Sequence, residues 1–165
     1  MNTTEQIALD LAIRYERSQG RQVTYVGEGA PPGFLPAVMA WARARHTDVP
    51  GRPGCDLVSQ DDAGDFERLI EVKGRGKATS VSIVDRQRDA MNALGPDWWL
   101  YVAVDCATEP RLVVVREPRR LPWELRTPAA ELPAGQYRRV GQEAVWDVSP
   151  SVILEAGLVV EVPAP

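Results

Sequence analysis

A chain of 165 residues with 44% hydrophobic content is long enough for one domain with a sizeable core. No apolar run approaches the ~20 residues needed to span a bilayer, and a start carrying Glu5 and Asp10 lacks the basic-then-apolar layout of a secretory leader. A net charge of −4 argues against a strongly basic, salt-dependent nucleic-acid binder, although it leaves room for a nuclease whose active-site acids are offset by metal ions.

In chain order, residues 4–18 read as a helix. Ile7, Leu11 and Tyr15 recur every four residues beside Ala8 and Ala12, Thr3 with Gln6 fits a capping box, and Gly20 is a stop signal. Glu16 lies at the edge of the apolar stripe; it is either a carboxylate looking into a site beside the core or a surface partner of Arg14 and Arg17. Residues 21–26 are strand-like. A Gly/Pro-rich insertion is expected over 27–53, with a short helix over 35–45 that opens near Pro36 and is anchored by Trp41. His46, the lone histidine, has no partner motif and reads as structural or exposed rather than catalytic.

Residues 53–74 (PGCDLVSQDDAGDFERLIEVKG) predict a β-hairpin. Leu57 to Ser59 is one strand, the Asp/Gly cluster at 60–65 the turn, and Phe66 to Lys73 the second strand. Period-two alternation puts Glu71 and Lys73 on one face and Ile70 and Val72 on the other. A hairpin of this length returns Asp56 to the side of Glu71. Two carboxylates and an ammonium then converge at a strand end, a donor set suited to Mg²⁺ or Mn²⁺ with positions left for water and phosphate. The competing reading is an exposed Glu71/Lys73 charge pair.

After Lys73, Gly-Arg-Gly-Lys is a basic connector and lacks the spacing of a phosphate-binding loop. A short strand follows at 80–84. Asp85 is expected to cap a helix over 86–94 that is buried through Ala90, Met91 and Leu94 and closed by Gly95-Pro96. Residues 98–104 and 112–116 read as central, doubly covered strands. Prolines 118, 122, 128 and 133 then break the chain. Small strands are expected at 137–140, 145–148 and 158–162, in an extension over 121–165 packed on the domain of residues 1–120. Cys55 and Cys106 have neither CxxC nor metal-ligand spacing and read as reduced thiols of a cytoplasmic protein. The arginines at 14, 17 and 21, the basic residues Arg75 and Lys77 with Lys73, and Arg116, Arg119 and Arg120 form three local cationic clusters. The alternation as a whole predicts an α/β fold with a central mixed β-sheet flanked by helices.

The order helix, strand, hairpin, helix, strand, with Asp56, Glu71 and Lys73 at the hairpin, resembles the restriction-endonuclease-like PD-(D/E)xK fold and its three-layer core. More narrowly, residues 5 to about 120 are similar to the domain named for the C-terminus of the NO VEIN protein. The likeness is carried by Tyr15-Glu16, Gly20-Arg21, Gly54-Cys55-Asp56-Leu57, Ile70-Glu71-Val72-Lys73-Gly74, Ser82 to Gln87, and Trp99 to Val102. The resemblance implies a Mg²⁺- or Mn²⁺-dependent endonuclease acting on DNA in a defence, restriction or DNA-processing system. Asp56 and Glu71 would be metal ligands with the Val72 carbonyl, and Glu16 an accessory carboxylate. Lys73 would polarise water, and Gln87 would serve as the glutamine found after the core motif in several nuclease branches. Arg75, Lys77 and Arg86 would meet nucleic acid. Cys55 stands where the superfamily name has proline. The alternative is a catalytically silent module that binds DNA or a protein partner. With no nucleotide-binding motif of its own, the chain would then take any ATP-driven step from a helicase or ATPase subunit. Nucleases of this fold often cut both strands as homodimers.

Overall fold

The computed structural model describes residues 3–27, 29–77, 79–130 and 141–164. The expected strand at 137–140 lies outside them. Helix α1 (Thr3–Ser18) leads into strand β1 (Gln22–Tyr25), helix α2 (Phe34–Arg45) and the hairpin of β2 (Leu57–Gln60) and β3 (Phe66–Gly74). Strand β4 (Val81–Val84), helix α3 (Asp85–Leu94) and strands β5 (Trp98–Val104) and β6 (Arg111–Arg116) follow. The C-terminal part adds β7 (Glu124–Thr127), β8 (Val145–Val148), helix α4 (Pro150–Ala156) and β9 (Leu158–Val160).

The hairpin turn forms because Asp61 organises it. Its Oδ1 accepts from the backbone N–H of Ala63 and of Asp65, each at 2.9 Å, an Asx-type turn. Gly64 supplies the left-handed residue at φ 87°.

The central sheet is mixed and six-stranded, in the order β1-β2-β3-β5-β6-β9. β3 and β5 are parallel, with α3 in the connection between them, and the other neighbours are antiparallel. β5 is thus a central strand, and from Leu100 to Val104 it is buried at every position. Alternation divides the core in two. Leu57, Ile70, Tyr101 and Leu112 pack under α1 through Ala8, Leu11 and Ala12. Val58, Leu69, Leu100 and Val113 pack under α3 through Ala90, Met91 and Leu94. Helices therefore cover both faces.

The structure differs from the expectations, or adds to them, at four points. β4 leaves the central sheet and pairs with β8, which pairs with β7, in a second, three-stranded sheet. The segment expected as an insertion is tied into the main core, since Val38 and Ala42 of α2 are fully buried there. The tail expected as an extension supplies β9, an edge strand of the central sheet, and a helix, α4, that its proline-broken pattern did not predict. Asp85 does not cap α3. It is the first helical residue, and its carboxylate accepts from Ala144 N at 3.2 Å and Trp146 Nε1 at 3.0 Å, tying the helix to the second sheet. Gln87 Oε1 instead accepts from Val84 N at 3.1 Å, so the third helical residue reaches back to satisfy an orphan N–H at the helix start.

The cysteines are unpaired with one another. His46 joins Arg45 on the carboxylate of Asp97 at 2.8 and 2.7 Å, the structural one of its two expected places. Among the described residues no helix is long and apolar enough to cross a membrane.

Candidate functional site

The β2–β3 register places Leu57 beside Ile70. One step further, where β2 has not yet begun, Asp56 stands opposite Glu71. The Asp56 backbone N–H donates to Ile70 O at 2.9 Å, and its carbonyl accepts from Val26 N at 2.8 Å, so the residue is fixed from both sides. Its side-chain Oδ2 accepts from Val72 N at 2.8 Å.

Glu71 and Lys73 share the α3 face of β3 with Leu69. Lys73 Nζ lies 2.6 Å from Glu71 Oε1. Gln87, in the first turn of α3, donates its Nε2 to the same Glu71 oxygen, and its Oε1 lies 3.4 Å from Lys73 Nζ. Asp56, Glu71, Lys73 and Gln87 thus meet at one end of the sheet, with the Val72 backbone between them. They line a cavity of ≈ 410 Å³, shared with Glu5 of α1 and Tyr25 of β1.

The electrostatics of this cluster follow from burial. Glu71 is 2% exposed. Desolvation pushes its carboxyl up to about 7, with Asp56 adding to the rise and Lys73 opposing it. Asp56 is also raised, first by burial, against the pull of the Val72 N–H and Lys73. Burial and both carboxylates hold the Cys55 thiol well above its ordinary value, which keeps it protonated and a poor nucleophile.

Two carboxylates kept from water and pushed toward protonation are stabilised by a cation. Among the described hydrogen bonds and ion pairs, Glu71 uses Oε1 and Asp56 uses Oδ2. Each therefore keeps a second hard oxygen for a ligand. No three His, Cys, Asp or Glu side chains among the described residues form a ready cage. A pair of carboxylates fits Mg²⁺, which retains several waters, better than an ion that demands a full protein shell.

Glu16 does not join this group. It is fully buried and accepts from Ser59 Oγ at 2.6 Å, from Arg68 at 3.1 Å and from the Tyr101 hydroxyl. Ser59 and Arg68 lie toward the hairpin turn, and Tyr101, opposite Val72 on β5, carries its hydroxyl to them on the α1 face. Thr4 packs against Gly74, where an added Cβ would lie 2.4 Å from Thr4 O, so α1 runs antiparallel to β3. Glu16 is eleven residues from Glu5, about 16 Å of helix. The carboxylate of α1 that reaches the cavity is Glu5, which sequence reasoning passed over. The available signal was the spacing: eleven residues is close to three turns, so both acids share a face of α1.

The expected basic contacts divide. Arg75 lines the cavity, but its guanidinium is spent on Ser80 O and Gly74 O, each at 2.9 Å. Lys77 is exposed on the loop after β3. Arg86 pairs with Glu143 at 3.0 Å and lines a second cavity beside Asp56 and Glu71. The other cationic clusters are largely ion-paired within the fold: Arg14 with Asp10, Arg21 with Glu67, and Arg119 and Arg120 with Glu117.

No curated protein and no solved structure matches this chain. A family model described as "Protein NO VEIN, C-terminal" matches residues 4–115 and so takes in α1, the hairpin, α3 and the strands β5 and β6. That match spans more than half of the chain and includes every side chain gathered around the cavity; the chain belongs to the NO VEIN C-terminal family.

Proposed function

We propose that the protein is a Mg²⁺- or Mn²⁺-dependent nuclease that hydrolyses DNA phosphodiester bonds, with a restriction-endonuclease-like core. The observation that carries the reading is the convergence of Asp56, Glu71, Lys73 and Gln87 on one cavity at the end of β2 and β3. The element order supports it. With α2 inserted between β1 and β2, and β4 between β3 and α3, the remaining order of helix α1, strands β1 to β3, helix α3 and strand β5 is the one that fold uses, with β3 and β5 parallel.

Asp56 and Glu71 would hold the divalent ion, with the Val72 carbonyl as a third oxygen, and such an ion would supply charge neutralisation at the phosphate and a more acidic water. Val72 N–H orients the Asp56 carboxylate. Lys73, held by Glu71 and Gln87, orients the attacking water and offsets charge on the phosphoryl oxygens. Glu5 adds negative charge at the cavity mouth in the place expected for Glu16. The system in which such cutting serves, whether defence, restriction or DNA processing, follows from the resemblance alone.

Purified protein is expected to cut end-labelled DNA with Mg²⁺ or Mn²⁺ and to stop with chelator. Asp56→Ala, Glu71→Ala and Lys73→Ala each abolish cutting. Wild-type cutting by the triple variant contradicts the reading.

A second reading, a silent module that binds DNA or a helicase or ATPase partner, is favoured by one observation: Glu71 Oε1 is already satisfied by Lys73 and Gln87. Absence of any Mn²⁺ binding heat, with DNA or partner binding indifferent to metal, selects it.

A further inference from the structure

Asp56, Glu71 and Gln87 line two cavities. The first opens toward α1 and β4. The second, ≈ 570 Å³, opens toward the segment between β1 and β2 and is lined also by Val26, Leu35, Pro53, Arg52 and Arg86. Its size falls in the roughly 300–1,000 Å³ range of small-molecule sites. Its far wall is apolar, with Pro53 buried and Val26 and Leu35 half-buried. Arg52 is exposed at its rim and has no hydrogen-bond or ion-pair partner among the described residues. Gly54, at φ 58°, packs so closely on α3 that an added Cβ would lie 2.8 Å from Ala90 Cβ, so this wall is closed against the helix.

We infer that the second cavity binds one unpaired nucleotide next to the phosphate held at Asp56 and Glu71, which makes single-stranded nucleic acid the preferred substrate. The inference rests on the nuclease reading of the shared wall. A polynucleotide with a phosphate at that wall carries a nucleoside on each side of it, and one of the two falls into this cavity. Val26, Leu35 and Pro53 offer an apolar surface to a base face. Arg52 and Arg86 meet the adjoining phosphate or a base edge. A base stacked within a duplex has no access to a concave site of this kind, whereas an unpaired one does.

The test uses binding, so that it stands apart from cutting. Fluorescence anisotropy is measured on a labelled single-stranded hexanucleotide, and on the duplex of the same sequence, with Ca²⁺ in place of Mg²⁺. The full chain is expected to bind the single strand more tightly than the duplex. Arg52→Glu, a surface change, and Leu35→Trp, which fills the cavity, each weaken single-strand binding by about tenfold or more. Arg52→Glu keeps the test decisive should Leu35→Trp fail to fold. Equal binding by Arg52→Glu and wild type, tighter binding of the duplex, or no binding of either probe overturns the inference. Dependence on Arg52 and Leu35 without any Mn²⁺-dependent cutting leaves the cavity assignment standing and removes the nuclease reading. Cutting without that dependence does the reverse.

Discussion

Lys73 Nζ lies 2.6 Å from Glu71 Oε1, two residues along the same strand. The pair is what period two gives when both side chains are long enough to meet over the residue between them. It lies on the face that α3 covers, so Gln87 closes the triangle.

Burial raises the Glu71 carboxyl to about 7, above its value in the unfolded chain. The native state therefore holds a proton that the unfolded state releases earlier. Stability from this group is full at low pH and is lost as pH rises through about 7. Without metal, the chain is expected to lose up to roughly 3 kcal/mol between pH 5 and 8, and Glu71→Gln flattens the slope. Urea unfolding across that range checks it, and a rise in stability with pH that Glu71→Gln leaves unchanged contradicts it.

Lys73 opposes the rise at Glu71. Lys73→Met is expected to move the Glu71 titration to still higher pH, read from the side-chain carboxyl carbon by NMR. A downward move denies the coupling.

Glu16 and Glu5 separate stability from function. Glu16→Ala leaves Arg68, whose side chain is 14% exposed, beside Tyr101 without its carboxylate. It is expected to cost about 3–5 kcal/mol in urea unfolding while Mn²⁺ affinity in the folded protein is unchanged. Glu5→Gln, at an exposed position, leaves stability within about 0.5 kcal/mol and weakens Mn²⁺ binding. The opposite pattern in calorimetry returns Glu16 to the site.

Gly54 couples the backbone to the cluster. At φ 58°, an added Cβ lies 2.8 Å from Ala90 Cβ and 3.1 Å from Arg86 O. Gly54→Ala strains the turn and pushes against α3, which carries Gln87. It is expected to cost about 1–3 kcal/mol and to weaken Mn²⁺ binding as well. Stability loss with unchanged metal affinity shows that Gln87 does not depend on this contact.

Local chemistry explains what was legible. The hairpin could be read because Asp61 and Gly64 carry turn chemistry and alternation assigns faces without tertiary knowledge. Asp56, Glu71 and Lys73 followed from strand pairing, and Gln87 from the family resemblance. Glu16 did not. Periodicity gives the face of α1, and both acids lie on it, but the direction in which the helix crosses the sheet is set by the contact of Thr4 with Gly74. Asp85 looked like a cap because Asp favours that position locally, yet Trp146 and Ala144, about sixty residues away, take its carboxylate. β9 is three residues long, with Leu158 and Val159 exposed, so no pattern of its own assigns it to the central sheet; its pairing with β6 does.

The account is tested most directly by anomalous diffraction from a crystal soaked in Mn²⁺. It predicts one strong peak between Asp56 and Glu71, with an oxygen of each at roughly 2 Å, and loss of that peak in Glu71→Gln. A crystal with free access to the cavity and no peak there, or a peak bound by neither carboxylate, contradicts it.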